Sequence, residues 1–206
     1  MLSAALAGLA GLLVVALWPR LSRLRRRYDD AALSPLRLQP GDAPDPALTP
    51  RLHGWVHDGA GNGASFLPWQ LARPPKPLTT LHLPASQAPA VRHFGYRLAG
   101  YHQLDARSRL GGLAYRIGVQ FGPVLWFVPS NASADSNTPW DDAWLEEVDD
   151  ARLAALRAWN PRRPTLIVLD GLPMARVSDV LHALTHAAGL AEQAVRVIVL
   201  EETPPA

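Results

Sequence analysis

Two histidine pairs are the residues of this chain whose types and spacing could do chemistry. His53 and His57, with Asp58 directly after them, precede the glycine-rich stretch GAGNG at 59–63. In a hydrolase His57 could serve as base, Asp58 or Asp105 as the orienting acid, and Ser65 or Ser130 as nucleophile. No G-x-S-x-G elbow is present to lift a serine out of its turn. Histidines in a proline-rich segment also serve simply as polar surface. No catalytic residue is assigned, and a non-catalytic protein is expected ahead of an enzyme. His182 and His186 stand four apart, the spacing at which two imidazoles on one helix can hold zinc. At ~100° per residue both point away from the Val177, Leu181, Leu184 stripe, toward solvent, and no third ligand is assured.

A third candidate is Asp170. LIVLDG, residues 166–171, is similar to the apolar strand and acid that hold magnesium in phosphate-binding ATPases. That chemistry also requires a G-x-x-x-x-G-K-[ST] loop, and GAGNG has no lysine. Asp170 is therefore expected to cap the helix that follows it. Neither a metal nor a cofactor is expected. The chain has no cysteine, which removes disulfides, thiolate nucleophiles and cysteine-based zinc or iron–sulfur sites.

The elements that would position these residues begin with an apolar run. Leu2 to Trp18, LSAALAGLAGLLVVALW, is uncharged and ends against RLSRLRRR. At ~1.5 Å per residue it spans ~26 Å, the short end of a bilayer core. Only the N-terminal amine precedes it and Trp-Pro-Arg follows, so it reads as an uncleaved single-pass anchor. Arg20, Arg23, Arg25, Arg26 and Arg27 flank one end and no basic side chain flanks the other. The positive-inside rule then favours a cytoplasmic domain at the cell inner membrane, and the arginines would contact anionic lipid. Small residues recur at Ser3, Ala7 and Gly11 and at Ala4 and Gly8, a spacing that lets a partner helix approach closely.

Charge divides the same way. The chain has 20 Lys plus Arg against 18 Asp plus Glu, and residues 1–27 hold five arginines and no acid. The remainder is net acidic, so nucleic-acid binding is not expected.

Residues 28–50, with Pro35, Pro40, Pro44, Pro46 and Pro50, read as a linker. Residues 51–90 read as a proline-rich irregular or β segment, with two extended pieces around the glycine tip and a strand at TTLHLP. An α/β domain is expected over 91–206. Its elements begin with two strands, LAYRIGVQF and PVLWFVP. A helix follows with Thr138 as N-cap and Pro139 in its first turn, carrying Trp144, Leu145 and Val148 and bending near Asp149–Asp150. TLIVLD at 165–170, a helix opened by Pro173 and closed by Gly189, and VRVIVLEE at 195–202 form a βαβ unit with parallel strands. Trp126, Trp144 and Trp159 fall on core stripes. Trp55, Trp69 and Trp140 sit in loop-like context, where an aromatic can anchor a partner.

The order of residues 144–202 resembles the globular domain of the ExbD/TolR family of membrane-anchored energy-transduction subunits. PTLIVLDGLPMARVSDVLHALTHAAG followed by VRVIVLEE carries the resemblance, with Asp170, Pro173, Val177 and Gly189 at matching positions. The resemblance implies one N-terminal transmembrane helix, a linker and a small periplasmic α/β domain. Family members that use the proton gradient carry an aspartate within the span, whereas Leu2 to Trp18 contains no ionisable side chain. The expected role is a non-catalytic accessory or scaffold subunit that meets lipid and a protein partner in a membrane complex. A membrane-tethered hydrolase using His53 and His57, and an energy-transduction component, are the alternatives.

Overall fold

The computed structural model describes residues 11, 27–58, 78–121, 139–189 and 193–202. Among them, α1 (Leu48–His57) leads to β1 (Leu78–Pro84), a 3-10 turn (Ala85–Gln87) and α2 (Ala88–Leu98). Then come α3 (Tyr101–Asp105), α4 (Arg109–Phe121), β2 (Asp141–Leu145), α5 (Asp150–Ala158), β3 (Thr165–Asp170), α6 (Met174–Gly189) and β4 (Val195–Glu201). The four strands form one sheet in the order β1-β4-β3-β2, and every pairing is parallel.

This order dictates the layers. The chain moves from β2 to β3 to β4 in one direction, and from β1 to β2 in the other. Crossovers of a single hand therefore place α5 and α6 on one face and α2 on the opposite face. Side-chain alternation follows. Leu145, Ile167, Leu169, Val197 and Val199 pack with Leu153 and Leu156 of α5 and Val177, Val180 and Leu184 of α6. Trp144, Leu166, Val168, Ile198 and Leu200 pack with Leu52 and Val56 of α1 and Val91 and Phe94 of α2. Strands covered on both faces read as continuous apolar runs, which is why TLIVLD and VRVIVLEE were legible as strands. The expected βαβ unit is present with parallel strands.

Several expectations are corrected. LAYRIGVQF is the body of α4, not a strand. Leu113 and Ile117 within it also satisfy helical spacing with Leu110 before it, so the period alone could not decide. PVLWFVP lies outside the described residues. The helix expected from Thr138 is instead the strand β2 at 141–145 and the helix α5 at 150–158. Pairing with β3 supplies hydrogen bonds to β2 that outweigh the local helix-start signal. Asp149 is the real N-cap, its carboxylate accepting from Arg152 N at 2.7 Å. Asp149→Ala is expected to cost about 1 kcal/mol, read as a lower urea midpoint at unchanged slope.

Residues 28–50 are not a free linker. Tyr28 Oη donates to Asp142 O at 2.7 Å, Trp144 N donates to Ser34 O at 2.8 Å, and Leu36 N donates to the Asp142 carboxylate at 3.1 Å. Leu33 and Leu36 are buried on opposite faces of the sheet, so the segment wraps the open edge of β2. Prolines bar a helix here but not a strap that satisfies its amides through side chains. Likewise, 48–57 within the region expected to be linker and irregular chain is helical, and TTLHLP is β1 as expected. Among the described residues no helix is long and apolar enough to cross a membrane, and Leu2–Trp18 lies outside them apart from Gly11.

Candidate functional site

A parallel sheet has two unlike ends. Ligands in open α/β sheets bind beyond the carboxyl ends of the strands, where neighbouring crossovers leave to opposite faces. Here β1 leads to α2 on one face, while β2 and β3 lead to α5 and α6 on the other. The crossovers thus diverge between β1 and β3, and at the β2 edge of the same end a cleft of about 320 Å³ opens, lined in part by Arg37, Arg92, Trp144, Glu146, Glu147 and Arg152.

Arg92, on the first turns of α2, is the centre of this end. Its Nε lies 3.2 Å from Asp42 Oδ1, and one terminal nitrogen lies 3.9 Å from Asp170 Oδ2. Its guanidinium stacks 4.7 Å over the Trp144 ring, which fixes its plane against the sheet. Burial raises the Asp170 carboxyl above the ordinary carboxylate range; Arg92 opposes that rise and Glu146 adds to it. Trp144 Nε1 is buried without a hydrogen bond of ordinary geometry among the described residues, yet its positive end still favours the Asp170 carboxylate. At the end of β1, His82 Nδ1 meets Glu201 Oε1 at 2.5 Å on a more exposed rim. Three arginines and two glutamates around one aromatic wall make a mixed-charge recess. It can bind by hydrogen bonds and ion pairs, and Arg92 is already held in place for that.

Asp170 does not cap α6. Strand alternation turns it toward α2 together with Leu166 and Val168, whereas α6 packs on the other face. The first bond of α6 runs from Val177 N to the Pro173 carbonyl at 3.0 Å, so Pro173 opens the helix.

The opposite end, where the strands begin, holds a buried polar cluster that the sequence did not signal. Asp142 is 2 % exposed and accepts from Tyr101 Oη at 3.2 Å as well as from Leu36 N. Burial pushes its carboxyl up to about 7, against the two hydrogen bonds that favour the charged form. Tyr28 and Tyr101 are both pushed well above the usual tyrosine range, by burial first and then by the charge of Asp142. Beside them Asp141 holds Arg162 in a two-pronged pair at 2.7 and 3.0 Å. Burial works against the Arg162 charge, but Asp141 more than restores it. The acids at 141 and 142 carried the appearance of a helix start, and nothing in their spacing announced a strand.

The residues singled out in sequence fall as follows. His53 and His57 share a face of α1 with ring centres 4.5 Å apart, and His57 meets Trp140 edge-on at 5.9 Å. Burial lowers the His57 imidazole, and His53 and Arg196 lower it further. Asp58 ends α1, and its carbonyl accepts from Arg196 at 2.8 Å. Ser65 and Ser130 lie outside the described residues, and Asp105 accepts a hydrogen bond from Tyr96. His182 and His186 are both exposed on α6, and no three metal-ligating side chains gather among the described residues. Trp140 is corrected: it is 4 % exposed and belongs to the core, so it cannot anchor a partner from the surface. Trp55 is half-buried against the same cluster. Gly11 and Arg27 are exposed. Gly8, Trp69, Arg20, Arg23, Arg25 and Arg26 lie outside the described residues.

Arg196 was not singled out. It is 0 % exposed in the middle of the sheet, and its guanidinium donates to the carbonyls of Val56, Val195 and Asp58. It thereby joins β4 to the last turn of α1, where unsatisfied carbonyls and the helix dipole favour a cation. No family model, curated protein or solved structure matches this chain. The chemistry of both ends therefore rests on their own geometry.

Proposed function

We propose that the chain is a single-pass, membrane-anchored accessory or scaffold subunit, whose α/β domain meets a protein partner through the cleft at the carboxyl ends of its strands. One observation supports this reading above the rest: Tyr28, directly after the arginine flank, is already bonded to the sheet. The hydrogen bonds of Tyr28, Ser34 and Leu36 to β2 tie residues 28–36 to the sheet. An anchor at residues 2–18 then keeps the domain close to the bilayer. The starts of the strands face the headgroups, and the Arg92 cleft opens on the far side. The arginine flank favours the cytoplasmic side for that domain. A mixed-charge cleft with one stacked aromatic suits a polar peptide surface better than an apolar small molecule.

Two measurements test this reading. The full chain should stay with membranes through an alkaline carbonate wash, and the chain lacking residues 1–27 should be released. Recovery of the full chain in the wash would overturn the anchor. A partner copurified from detergent extracts should be lost in an Arg37→Glu, Arg152→Glu double variant that keeps its membrane retention. Undiminished copurification would remove the cleft from the proposal.

A further inference from the structure

Helix α4 carries three of the large apolar side chains that the described residues leave exposed: Leu110 at 80 %, Leu113 at 56 % and Ile117 at 49 %. At ~100° per residue the three fall within an arc of about 60° on one side of the helix. The other side is the one that packs. A Cβ on Gly100, whose φ of +77° already favours glycine, would come within 2.5 Å of the Tyr115 hydroxyl and 3.3 Å of Pro139. Residues 106–121 contain Arg107, Arg109 and Arg116 and no acid. Arg107 stacks 4.8 Å over Tyr115, while Arg109 and Arg116 border the apolar arc.

The position of this helix says what covers it. Tyr101 opens α3 and follows Gly100, against which Tyr115 of α4 packs; it bonds Asp142, and the Asp142 carbonyl accepts from Tyr28. So α4 lies at the end of the domain where the chain arrives from the arginine flank. We infer that α4 lies in the plane of an anionic bilayer surface, with Leu110, Leu113 and Ile117 entering the headgroup region and Arg109 and Arg116 meeting lipid phosphates. An apolar arc bordered by arginines is how a helix lies on such a surface. Proximity to the anchor supplies the effective concentration that so short a helix lacks alone. The inference rests on the anchor reading above, and the test separates the two.

The absence of cysteine lets single-cysteine variants carry an environment-sensitive dye without background. Leu113→Cys and Ile117→Cys report on α4, and Met174→Cys, exposed at the opposite end of the domain, is the control. The labelled full chain is reconstituted in phosphatidylcholine vesicles with about 30 % phosphatidylglycerol, with and without doxyl-labelled lipid. The dyes at 113 and 117 should emit to the blue and lose intensity about twofold or more to the doxyl lipid, while the dye at 174 does neither. Arg109→Glu with Arg116→Glu should abolish that quenching without releasing the protein from the vesicles. If the protein floats with vesicles but position 113 behaves like 174, the inference fails and the anchor stands. A blue emission with no doxyl quenching means that a second copy or another segment of the chain covers the arc, and it overturns the inference. If the protein does not float with the vesicles, both readings fall.

Discussion

Asp142→Asn is expected to stabilise the fold at pH 8 by about 4 kcal/mol and by almost nothing near pH 4, since each pH unit of displacement is worth roughly 1.4 kcal/mol. The reason is the burial of a carboxyl that the fold pushes from 3.8 up to about 7. Folded, Asp142 holds its proton more tightly than in the unfolded chain. Its contribution is therefore fully favourable below the unfolded value and is lost as pH rises through the folded value. Asparagine keeps the shape and removes the charge. Its carbonyl can still accept from Leu36 N, and Tyr101 can turn its hydroxyl to accept from the amide. Urea titrations of both proteins from pH 4 to pH 8 measure the difference directly. A gap that does not widen with pH would mean that water or a rearranged Tyr101 already solvates the carboxylate.

Arg196→Met should have the opposite sign and comparable size. Methionine nearly fills the volume of the arginine stem but donates nothing to Val56 O, Val195 O or Asp58 O. The carbonyls of Val56 and Val195 lie in buried bonds, and each left unpaired costs about 1–3 kcal/mol, so a loss of roughly 4 kcal/mol is expected. Arg196→Lys should recover part of it, because an ammonium group can reach some of these oxygens but not all in one plane. The loss should be concentrated at α1, seen as faster amide hydrogen exchange at Trp55, Val56 and His57 than in β3. Uniform loosening of the whole sheet would instead mean that Arg196 matters as packing within β4.

These two residues show why the sequence was legible in some places and not in others. The βαβ unit at 165–201 could be read because its strands are covered on both faces and its helix carries one clear stripe. Both facts are local and periodic. Asp141 and Asp142 could not be read, because their place in a strand comes from pairing with β3 and from the strap at Tyr28–Leu36, neither of which leaves a trace in nearby spacing. The strap was illegible for a related reason. A proline-rich run looks the same whether it is a loose spacer or, as at Tyr28–Leu36, is pinned along a sheet edge. Arg196 sits in a run of valines and isoleucines, where one charge reads as an interruption. Only the neighbouring carbonyls turn it into a fastener. At the carboxyl end, Asp170 was visible as a lone acid after an apolar run, but Arg92 and Asp42, which give it meaning, are far off in sequence.

The place of β4 in the sheet has a consequence for the order in which this protein can be made. Strand β4 lies between β1 and β3, and among the described residues β1 has no other strand neighbour. His82 and Glu201, which close the β1–β4 seam, are 119 residues apart. Until β4 has been synthesised, β1 lacks the strand that pairs with it, a state that invites mispairing. Completion of the sheet therefore waits for β4, and chain shortening that reaches β4 should leave β1 without its partner strand rather than trim an edge.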